Sequence, residues 1–302
     1  VLKTVCWFSV TKYPVTSFEI WKWLLSPDRP YDLYEVISVL KTSNWIQNRL
    51  LQKDGFYFLK DGLCIDKKIN SRKERFLDSI RKYNKLVKAS RYFRLLPGVR
   101  AVAAVNTLSW WNTTQDSDID LFIITKPKTI WSSRFLLVLP FALLGRRPMH
   151  HDCETEEHVL DPFCFSFFTT QDAINFEYLK YSKKDYYLSF WCKSIVPIFD
   201  KDGSFKKFSE ENKWCGVDLP NARYRVSHPL HLVTGSLFLP VQTSITEHIF
   251  RSIQRERFPA HIKELANKDS RVVINDDMLK FHQNDRRDFF YSEYKKSIDR
   301  YV

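Results

Sequence analysis

The stretch Asp116-Ser117-Asp118-Ile119-Asp120-Leu121, which continues into Phe122-Ile123-Ile124, places carboxylates at the start of an apolar run. Such a run predicts a buried β-strand, and residues two apart on a strand point to the same face. Asp118 and Asp120 are therefore expected to present their carboxylates to one site, while Ile119 turns into the core. Two adjacent carboxylates favour a bound cation, and Mg²⁺ prefers oxygen ligands of this kind.

The segments on either side of this stretch extend the pattern. Residues 99 to 105 are rich in Val and Ala and do not alternate with polar residues, which predicts a strand buried on both faces. Asn106 and Thr107 follow as a small polar turn, and the apolar helix predicted from Trp131 to Leu144 comes after the second strand. The order is strand, polar turn, strand with the carboxylate pair, then helix.

This order resembles the polymerase beta-type nucleotidyltransferase superfamily, whose signature is a Gly-Ser turn after one strand and an Asp-x-Asp pair in the next. The resemblance implies that Asp118 and Asp120 hold Mg²⁺ ions in a two-metal phosphoryl-transfer site. It also implies that Asn106, Thr107 and Ser117 bind the phosphates of a nucleoside triphosphate, with Thr107 in the place of the family serine. Asn106 departs from the family glycine, although Asn tolerates left-handed backbone angles better than most residues.

Relatives of this kind commonly supply a third carboxylate from a later, antiparallel strand, where it completes a metal site and accepts the proton of the attacking hydroxyl. The resemblance assigns this catalytic and metal-binding role to Asp161, at the edge of a strand-like run that ends at Phe168. Pro162 places Asp161 at the strand edge. Asp152 and Glu154 are alternatives, and so is the lack of a third carboxylate.

Residues 1–66 predict a winged helix. Helices are expected from Ser17, after Pro30 and over residues 45–51, followed by a two-stranded ribbon in which residues 55–59 pair with residues 63–65 across the turn Lys60-Asp61-Gly62. Winged helices place one helix in a DNA groove, so DNA contact is one interpretation. Many winged helices contact only proteins, which is the alternative.

A long basic helix is predicted over residues 68 to 94, with Phe76, Ile80, Tyr83 and Val87 on its apolar face. Residues 67 to 100 carry twelve Lys and Arg against two acidic side chains. The whole chain has a formal net charge of +12, which favours polyanionic partners such as nucleic acid. RNA is the preferred partner of the core, and a solvated helix face is the alternative.

Residues 171–302 predict a mostly helical region with helices over residues 173–181, 186–198 and 246–257. Trp191 is interpreted as a core residue rather than a stacking platform. Residues 280–287 are polar and basic enough to contact phosphates, or they form an exposed helix start.

Six scattered cysteines indicate reduced thiols in apolar surroundings and a cytoplasmic protein. The longest apolar run, over residues 135–144, is too short to span a membrane, and the N-terminal residues lack the features of a signal peptide. No membrane partner is expected.

Together these patterns predict an α+β protein with three parts: a winged helix (1–66), a nucleotidyltransferase core with its leading basic helix (67–170) and a helical C-terminal region (171–302). The expected function is Mg²⁺-dependent transfer of a nucleoside monophosphate from a nucleoside triphosphate to a hydroxyl acceptor, with RNA, such as the end of a tRNA, favoured. One alternative is a catalytically degenerate nucleic-acid-binding regulator. Another is a toxin-like enzyme that nucleotidylates proteins.

Overall fold

A mixed six-stranded sheet forms the centre of the structure, a computed structural model that describes residues 1–62, 64–146, 160–225 and 244–302. Helices cover both faces of the sheet, and a smaller three-stranded sheet lies in the N-terminal segment. The predicted α+β class is confirmed.

The N-terminal segment contains four helices and three short strands. They are α1 (Leu2–Ser9), β1 (Val15–Thr16), α2 (Ser17–Lys22), α3 (Leu33–Thr42), α4 (Asn44–Gln47), β2 (Leu50–Lys53) and β3 (Phe56–Leu59). Capping boxes start two of the helices: Thr16 and Glu19 exchange hydrogen bonds at α2, and Asp32 and Glu35 do so at α3. The strands form an antiparallel sheet in the order β1-β3-β2.

The ribbon in this segment differs from the prediction. It pairs β2 with β3 around Asp54-Gly55, not residues 55–59 with residues 63–65. Asp54 and Gly55 both have positive φ angles, of 50° and 78°, which suits a two-residue hairpin turn. Leu50 and Leu51, predicted to be helical, are therefore strand residues. Cys64 instead caps the next helix, and residue 63 lies outside the described residues.

The long basic helix is α5 (Ile65–Phe93), and its buried face matches the predicted one only in part, since Tyr83 is buried as expected. Phe76 and Ile80 are 46% and 37% exposed, whereas Ser79 and Lys82 are fully buried. The ammonium group of Lys82 donates hydrogen bonds to the main-chain oxygens of the loop before the carboxylate-bearing strand. These polar contacts fix the rotation of the helix, so apolar periodicity alone predicted only part of the buried face.

The central part of the sheet follows the predicted order of elements. It comprises β4 (Val99–Ala104), α6 (Asn106–Ser109), β5 (Ile119–Thr125), α7 (Ile130–Leu143) and β6 (Phe163–Thr170). β4 pairs with β5 in antiparallel fashion. β6 pairs in parallel with β5, and the expectation of an antiparallel third strand is wrong. The crossover through α7 returns the chain to the same end of the sheet before β6 begins.

The C-terminal region is mostly helical, as predicted, but it also adds strands to the sheet. Its elements are a 3-10 helix (Glu177–Leu179), α8 (Tyr186–Ser194), β7 (Val196–Asp200), α9 (Ser204–Glu211), α10 (Cys215–Asp218), α11 (Ser244–Glu256), α12 (Ala260–Leu265), β8 (Val272–Ile274), β9 (Met278–Phe281) and α13 (Arg287–Tyr301). The sheet order is β7-β4-β5-β6-β9-β8. The sheet therefore includes strands from both sides of residue 170, which was the expected boundary between the core and the C-terminal region. The helix predicted to reach Ile198 ends at Ser194, because the residue before Pro197 disfavours helical angles.

Three apolar clusters hold the structure together. One lies between the sheet and the helices α5 and α7, and a second packs α8 and α9 on the opposite face. The third joins the N-terminal segment to α8 and α13, with the ring of Trp7 stacked on Phe190 at a centroid distance of 4.8 Å. The N-terminal segment thus shares a core with the C-terminal helices.

Two further expectations concern membranes and cysteines. In the described ranges, none of the helices has both the length and the apolar character needed to cross a bilayer. Cys6, Cys192 and Cys215 are buried free thiols, as expected for core residues, whereas Cys64 is exposed. Cys164 is half-buried and contributes to the site described below.

Candidate functional site

Asp118 and Asp120 lie at the start of β5 and bring their carboxylates together. One oxygen of each lies within 4.8 Å of the other and of the Cys164 sulfur. The alternation of the strand produces this arrangement, since Ile119 between them is fully buried in the opposite direction. The predicted convergence of the two carboxylates is thus present in the geometry of the site.

The surroundings of the pair disfavour two negative charges. Burial and then the charge of Asp118 raise the pKa of Asp120 to about 6, although hydrogen bonds from Asn106 and Cys164 counteract part of this effect. Burial also raises the pKa of Asp118, and the positive charge of Lys82 opposes it. A bound cation would remove this penalty, because it neutralises the carboxylates where they are close together.

The polar turn after β4 reaches the same place. Asn106 has a φ angle of 53°, in the left-handed region that favours glycine and that Asn tolerates better than most residues. Its side-chain oxygen accepts a 3.0 Å hydrogen bond from the indole N–H of Trp191, and its amide hydrogen-bonds to Asp120. Thr107 is exposed on the rim of a cavity that Asp120 also lines. The structure therefore brings Asn106 and Thr107 to the carboxylate pair.

Ser117, which was expected to contact phosphates, instead holds the loop before β5. Its hydroxyl accepts a 2.9 Å hydrogen bond from the Thr114 N–H, and its main-chain oxygen accepts one from Lys82. Ser117 does not line either of the two cavities described below. Its contacts support the loop that presents Asp118.

Asp161 does not join the carboxylate pair. Its buried carboxylate forms ion pairs with Arg81 and Lys85, and the distance from Arg81 Nη2 to Asp161 Oδ1 is 2.6 Å. The ammonium group of Lys82 lies 3.6 Å from the same oxygen. Burial would raise the pKa of Asp161, but the hydrogen bonds and charges of Arg81 and Lys85 outweigh it and hold the pKa at about 2. These contacts tie α5 to the start of β6. Asp152 and Glu154 lie outside the described residues.

Cys164 stands where a third carboxylate was expected. It pairs with Asp120 across the parallel strands β5 and β6. Among the described residues, the group that could hold a metal ion therefore offers two carboxylates and a thiol. Cys164 and Ser166 lie on the same face of β6, because residues two apart on a strand point the same way. This alternation is visible in the sequence and could have indicated Cys164 as a site residue.

Two cavities meet at this site. The first, of about 330 Å³, is mainly aromatic, and the second, of about 400 Å³, is mainly polar. Five residues line both: Asn106, Asp120, Tyr187, Trp191 and Arg286. Trp191, interpreted from the sequence as a core residue, is largely buried but faces both cavities. The carboxylate pair therefore lies between an aromatic and a polar compartment.

The polar cavity is bounded by residues 280–287, the run that the sequence indicated as a possible phosphate contact. Lys280 donates hydrogen bonds to main-chain oxygens. Arg287 forms ion pairs with Asp185 and Asp285. The His282 ring lies 3.3 Å from the Ser166 hydroxyl. Burial and the charge of Lys280 lower the pKa of His282 to about 3, so this imidazole is neutral near pH 7.

Half of the basic residues on and around α5 are engaged within the protein. Six of the twelve in residues 67–100 are ion-paired with carboxylates of the protein: Lys68, Arg72, Arg81, Lys82, Lys85 and Arg100. Arg75 also hydrogen-bonds to Asn112. From the sequence, these residues were interpreted either as a nucleic-acid contact or as a solvated helix face. Their ion pairs instead bind α5 to neighbouring segments, which neither interpretation predicted.

Comparisons with known proteins add no assignment: no family model, no curated protein and no solved structure matches this chain.

Proposed function

We propose that this protein is a nucleotidyltransferase that moves a nucleoside monophosphate from a nucleoside triphosphate to a hydroxyl acceptor with the help of Mg²⁺. One observation carries the proposal. The carboxylates of Asp118 and Asp120 converge, and Asp120 lines a cavity that the Asn106-Thr107 turn also lines. The two carboxylates would hold a metal, and the polar turn beside them would bind phosphates.

Each residue has a defined role in this proposal. Asp118 and Asp120 hold Mg²⁺, whose positive charge offsets the charge that develops on the transferred phosphoryl group. The Asn106-Thr107 turn, with the exposed Thr107 hydroxyl, contacts the phosphates. Arg286 lines both cavities, and its guanidinium can bind phosphate oxygens in a bidentate manner.

The order of elements supports the same proposal. The unit β4-α6-β5-α7-β6 has the strand, turn and helix order expected of a polymerase beta-type core, and Asn106 adopts the left-handed angle that the glycine of the family signature permits. In the N-terminal segment, the order of helices and strands and the sheet order β1-β3-β2 support a winged helix.

The geometry leaves less support for a large nucleic-acid acceptor. Half of the twelve basic residues around α5 are neutralised within the protein, and α3 carries one basic residue, Lys41, against Glu35. Contacts between basic side chains and phosphates supply most of the affinity for nucleic acid. With half of these cations already paired, fewer remain to bind RNA or DNA. The 400 Å³ polar cavity instead accommodates a small molecule or a single terminal nucleotide that offers the hydroxyl.

A labelling experiment tests the proposal. Purified protein is incubated with α-labelled nucleoside triphosphates, Mg²⁺ and separate extracts of RNA, protein and small molecules. Label is expected in one extract, and it should be lost with Asp118→Ala. Asp116→Ala is the matched control, because Asp116 is an exposed carboxylate in the same loop. Lack of transfer to all three extracts, or transfer that Asp118→Ala leaves unchanged, would falsify the proposal.

One observation favours a second function. Among the described residues, Cys164 and no third carboxylate lies beside Asp118 and Asp120, so none of them offers a carboxylate there to accept the proton of the acceptor hydroxyl. A protein of this kind can bind Mg²⁺ and a nucleoside triphosphate as a regulator and transfer nothing. Calorimetry separates the two functions: the regulator binds the nucleotide in a manner that requires Asp118, yet it labels no extract. Label on protein alone would instead identify a protein-nucleotidylating enzyme.

A further inference from the structure

The aromatic cavity next to the carboxylate pair is built by elements from distant parts of the chain. Helix α1 and the turn after it contribute Trp7, Phe8 and Tyr13, and the turn after α6 contributes Trp110. Helices α8 and α13 complete the wall with residues that include Phe190 and Phe290. Eight of the thirteen residues that line this cavity are aromatic.

The polar residues of the cavity are few and lie close to the site. They are Thr11, Asn106, Thr107, Asp120 and Arg286, and three of these belong to the carboxylate pair or to the turn opposite it. A ligand in this space would therefore have a polar end at Asp120 and an apolar, flat end among the rings. A volume of about 330 Å³ lies within the range of small-molecule sites, at its lower end.

The aromatic rings themselves indicate which kind of ligand fits. Trp7 stacks on Phe190 with an interplanar angle of 6°, and Phe8 meets Trp110 edge-on at 75°. Rings held by one another in this way form a rigid wall that loses little freedom when a ligand binds. A planar heterocycle gains about 5-fold to 150-fold in affinity from stacking on such aromatic side chains.

We propose that this aromatic cavity binds the base of the nucleoside triphosphate, so that helix α1 is part of the substrate site. This inference rests on the proposed function. The phosphates lie at Asp120 and the Asn106-Thr107 turn, and the base extends from there toward Phe290 and Trp7. The N-terminal segment then contributes to the recognition of the substrate, a role that differs from an independent DNA-contact module.

The test compares neighbouring phenylalanines of α13. Phe290 lines the cavity and lies 5.8 Å from the Trp7 ring, whereas Phe289 is 51% exposed, does not line the cavity, and contacts its wall only from behind, at the Phe290 ring 6.0 Å away and at the Arg286 guanidinium. Phe290→Leu keeps apolar volume and removes the ring face, and Phe289→Leu is the matched control. Calorimetry measures the affinity of each protein for the four common ribonucleoside triphosphates and for inorganic tripolyphosphate, all with Mg²⁺. Circular dichroism confirms that each variant is folded.

The unmodified protein is expected to bind at least one nucleoside triphosphate about tenfold or more tightly than tripolyphosphate, which has no base. Phe290→Leu should weaken that nucleotide about fivefold or more and leave tripolyphosphate unchanged, whereas Phe289→Leu changes neither. Equal affinity for nucleotides and tripolyphosphate overturns the base site and leaves the phosphate site intact. Equal losses in both leucine variants overturn it as well. If the unmodified protein binds neither kind of ligand, the proposed function fails together with this inference.

Discussion

Cys164 lies beside Asp120 across the parallel strands β5 and β6, and its sulfur is within 4.8 Å of oxygens of both Asp118 and Asp120. Thiol sulfur is a poor ligand for Mg²⁺, which prefers oxygen, so within the described part of the chain this cluster offers Mg²⁺ two carboxylate ligands. The register of one strand pair thus determines how strongly the proposed site can hold its metal.

Replacement of Cys164 by Asp should convert the site into one with three carboxylates. We expect Cys164→Asp to bind Mg²⁺ about tenfold more tightly, since a further oxygen ligand and a negative charge are added. Without metal the same variant should unfold at a lower temperature, because a third acidic group joins two that already repel. Calorimetry with Mg²⁺ and thermal unfolding with and without Mg²⁺ measure both effects.

Cys64→Asp is the control for this substitution, because Cys64 is exposed at the N-terminus of α5 and does not line either cavity. It should leave Mg²⁺ affinity unchanged and raise the unfolding temperature with or without Mg²⁺, because Asp is a favoured N-cap residue. Equal Mg²⁺ affinity in Cys164→Asp and the unmodified protein would contradict a metal site at Asp118 and Asp120.

Asn106 is expected to tolerate Gly better than Ala. Both substitutions remove the hydrogen bonds to Trp191 and Asp120. Only Ala must also occupy a φ angle of 53°, which costs a residue with a β-carbon about 1 kcal/mol relative to Gly. Urea unfolding should therefore give Asn106→Ala a free energy of unfolding about 1 kcal/mol below that of Asn106→Gly.

The order should reverse at Asn112, which has no positive φ angle and hydrogen-bonds to Arg75. There Gly carries the larger entropic cost of ordering the backbone, so Asn112→Ala should be the more stable variant of that pair. An Ala variant at position 106 that is as stable as the Gly variant would show that the turn relaxes out of the left-handed region.

Local patterns in the sequence were sufficient for strands β4 and β5, but not for the direction in which β6 pairs with β5. An unbroken apolar run and the period of two predicted β4, β5 and the convergence of Asp118 with Asp120, since these depend on residues close together in the chain. Side-chain contacts from distant segments were not predictable in this way. The wall of the aromatic cavity requires Trp7 and Phe290 to meet, and no local pattern signals their contact.

The buried face of α5 shows a second limit. Apolar spacing indicated Phe76 and Ile80, but the helix turns Lys82 inward to the carbonyl groups that precede β5. A buried cation is costly unless it is paired, so its contacts decide the rotation of the helix. The loop that provides those carbonyl groups lies in another segment, and its position depends on the folded sheet.

Asp120→Asn should stabilise the protein and abolish nucleotide binding. The pKa of Asp120, raised to about 6 by burial and by Asp118, exceeds its value of 3.8 in the unfolded chain. An acid with a raised folded-state pKa weakens stability as pH rises from 3.8 through 6, because the charged form is then disfavoured in the folded state. At pH 7.5 the amide should raise the free energy of unfolding by about 1 kcal/mol.

Below about pH 4 this gain should vanish, since Asp120 is then protonated in both states. Urea unfolding at pH 7.5 and pH 3.5, with calorimetry of Mg²⁺-nucleotide binding, checks both halves of the prediction. Asp116→Asn is the matched control, because its exposed carboxylate should leave both quantities unchanged. A loss of stability in Asp120→Asn at pH 7.5 would show that the carboxylate is stabilised in the folded state even without a metal.

Asp161 should act as a structural anchor for α5 and not as a catalytic group. Its carboxylate is fully buried against Arg81, Lys82 and Lys85, and Arg81 and Lys85 remain in part exposed to solvent. Removal of the charge leaves the buried Lys82 with Asp78 as its remaining carboxylate partner. Asn also tolerates the φ angle of 54° at this position, so Asp161→Asn changes the charge without added backbone strain. We expect a loss of about 2–3 kcal/mol in the free energy of unfolding at pH 7.

The pH dependence identifies the cause of that loss. The pKa of Asp161 is about 2 in the folded protein against 3.8 in the unfolded chain, so its contribution is complete above pH 3.8 and declines as pH falls toward 2. Between pH 3.8 and pH 2, the free energy of unfolding should therefore fall less in Asp161→Asn than in the unmodified protein. Asp269→Asn is the control: the pKa of Asp269 is also about 2, because Arg271 hydrogen-bonds to it, but the pair is exposed and screened by solvent. If both variants lose the same stability at pH 7, burial of the Asp161 cluster adds nothing. If Mg²⁺ affinity falls in Asp161→Asn while stability is unchanged, Asp161 belongs to the metal site after all.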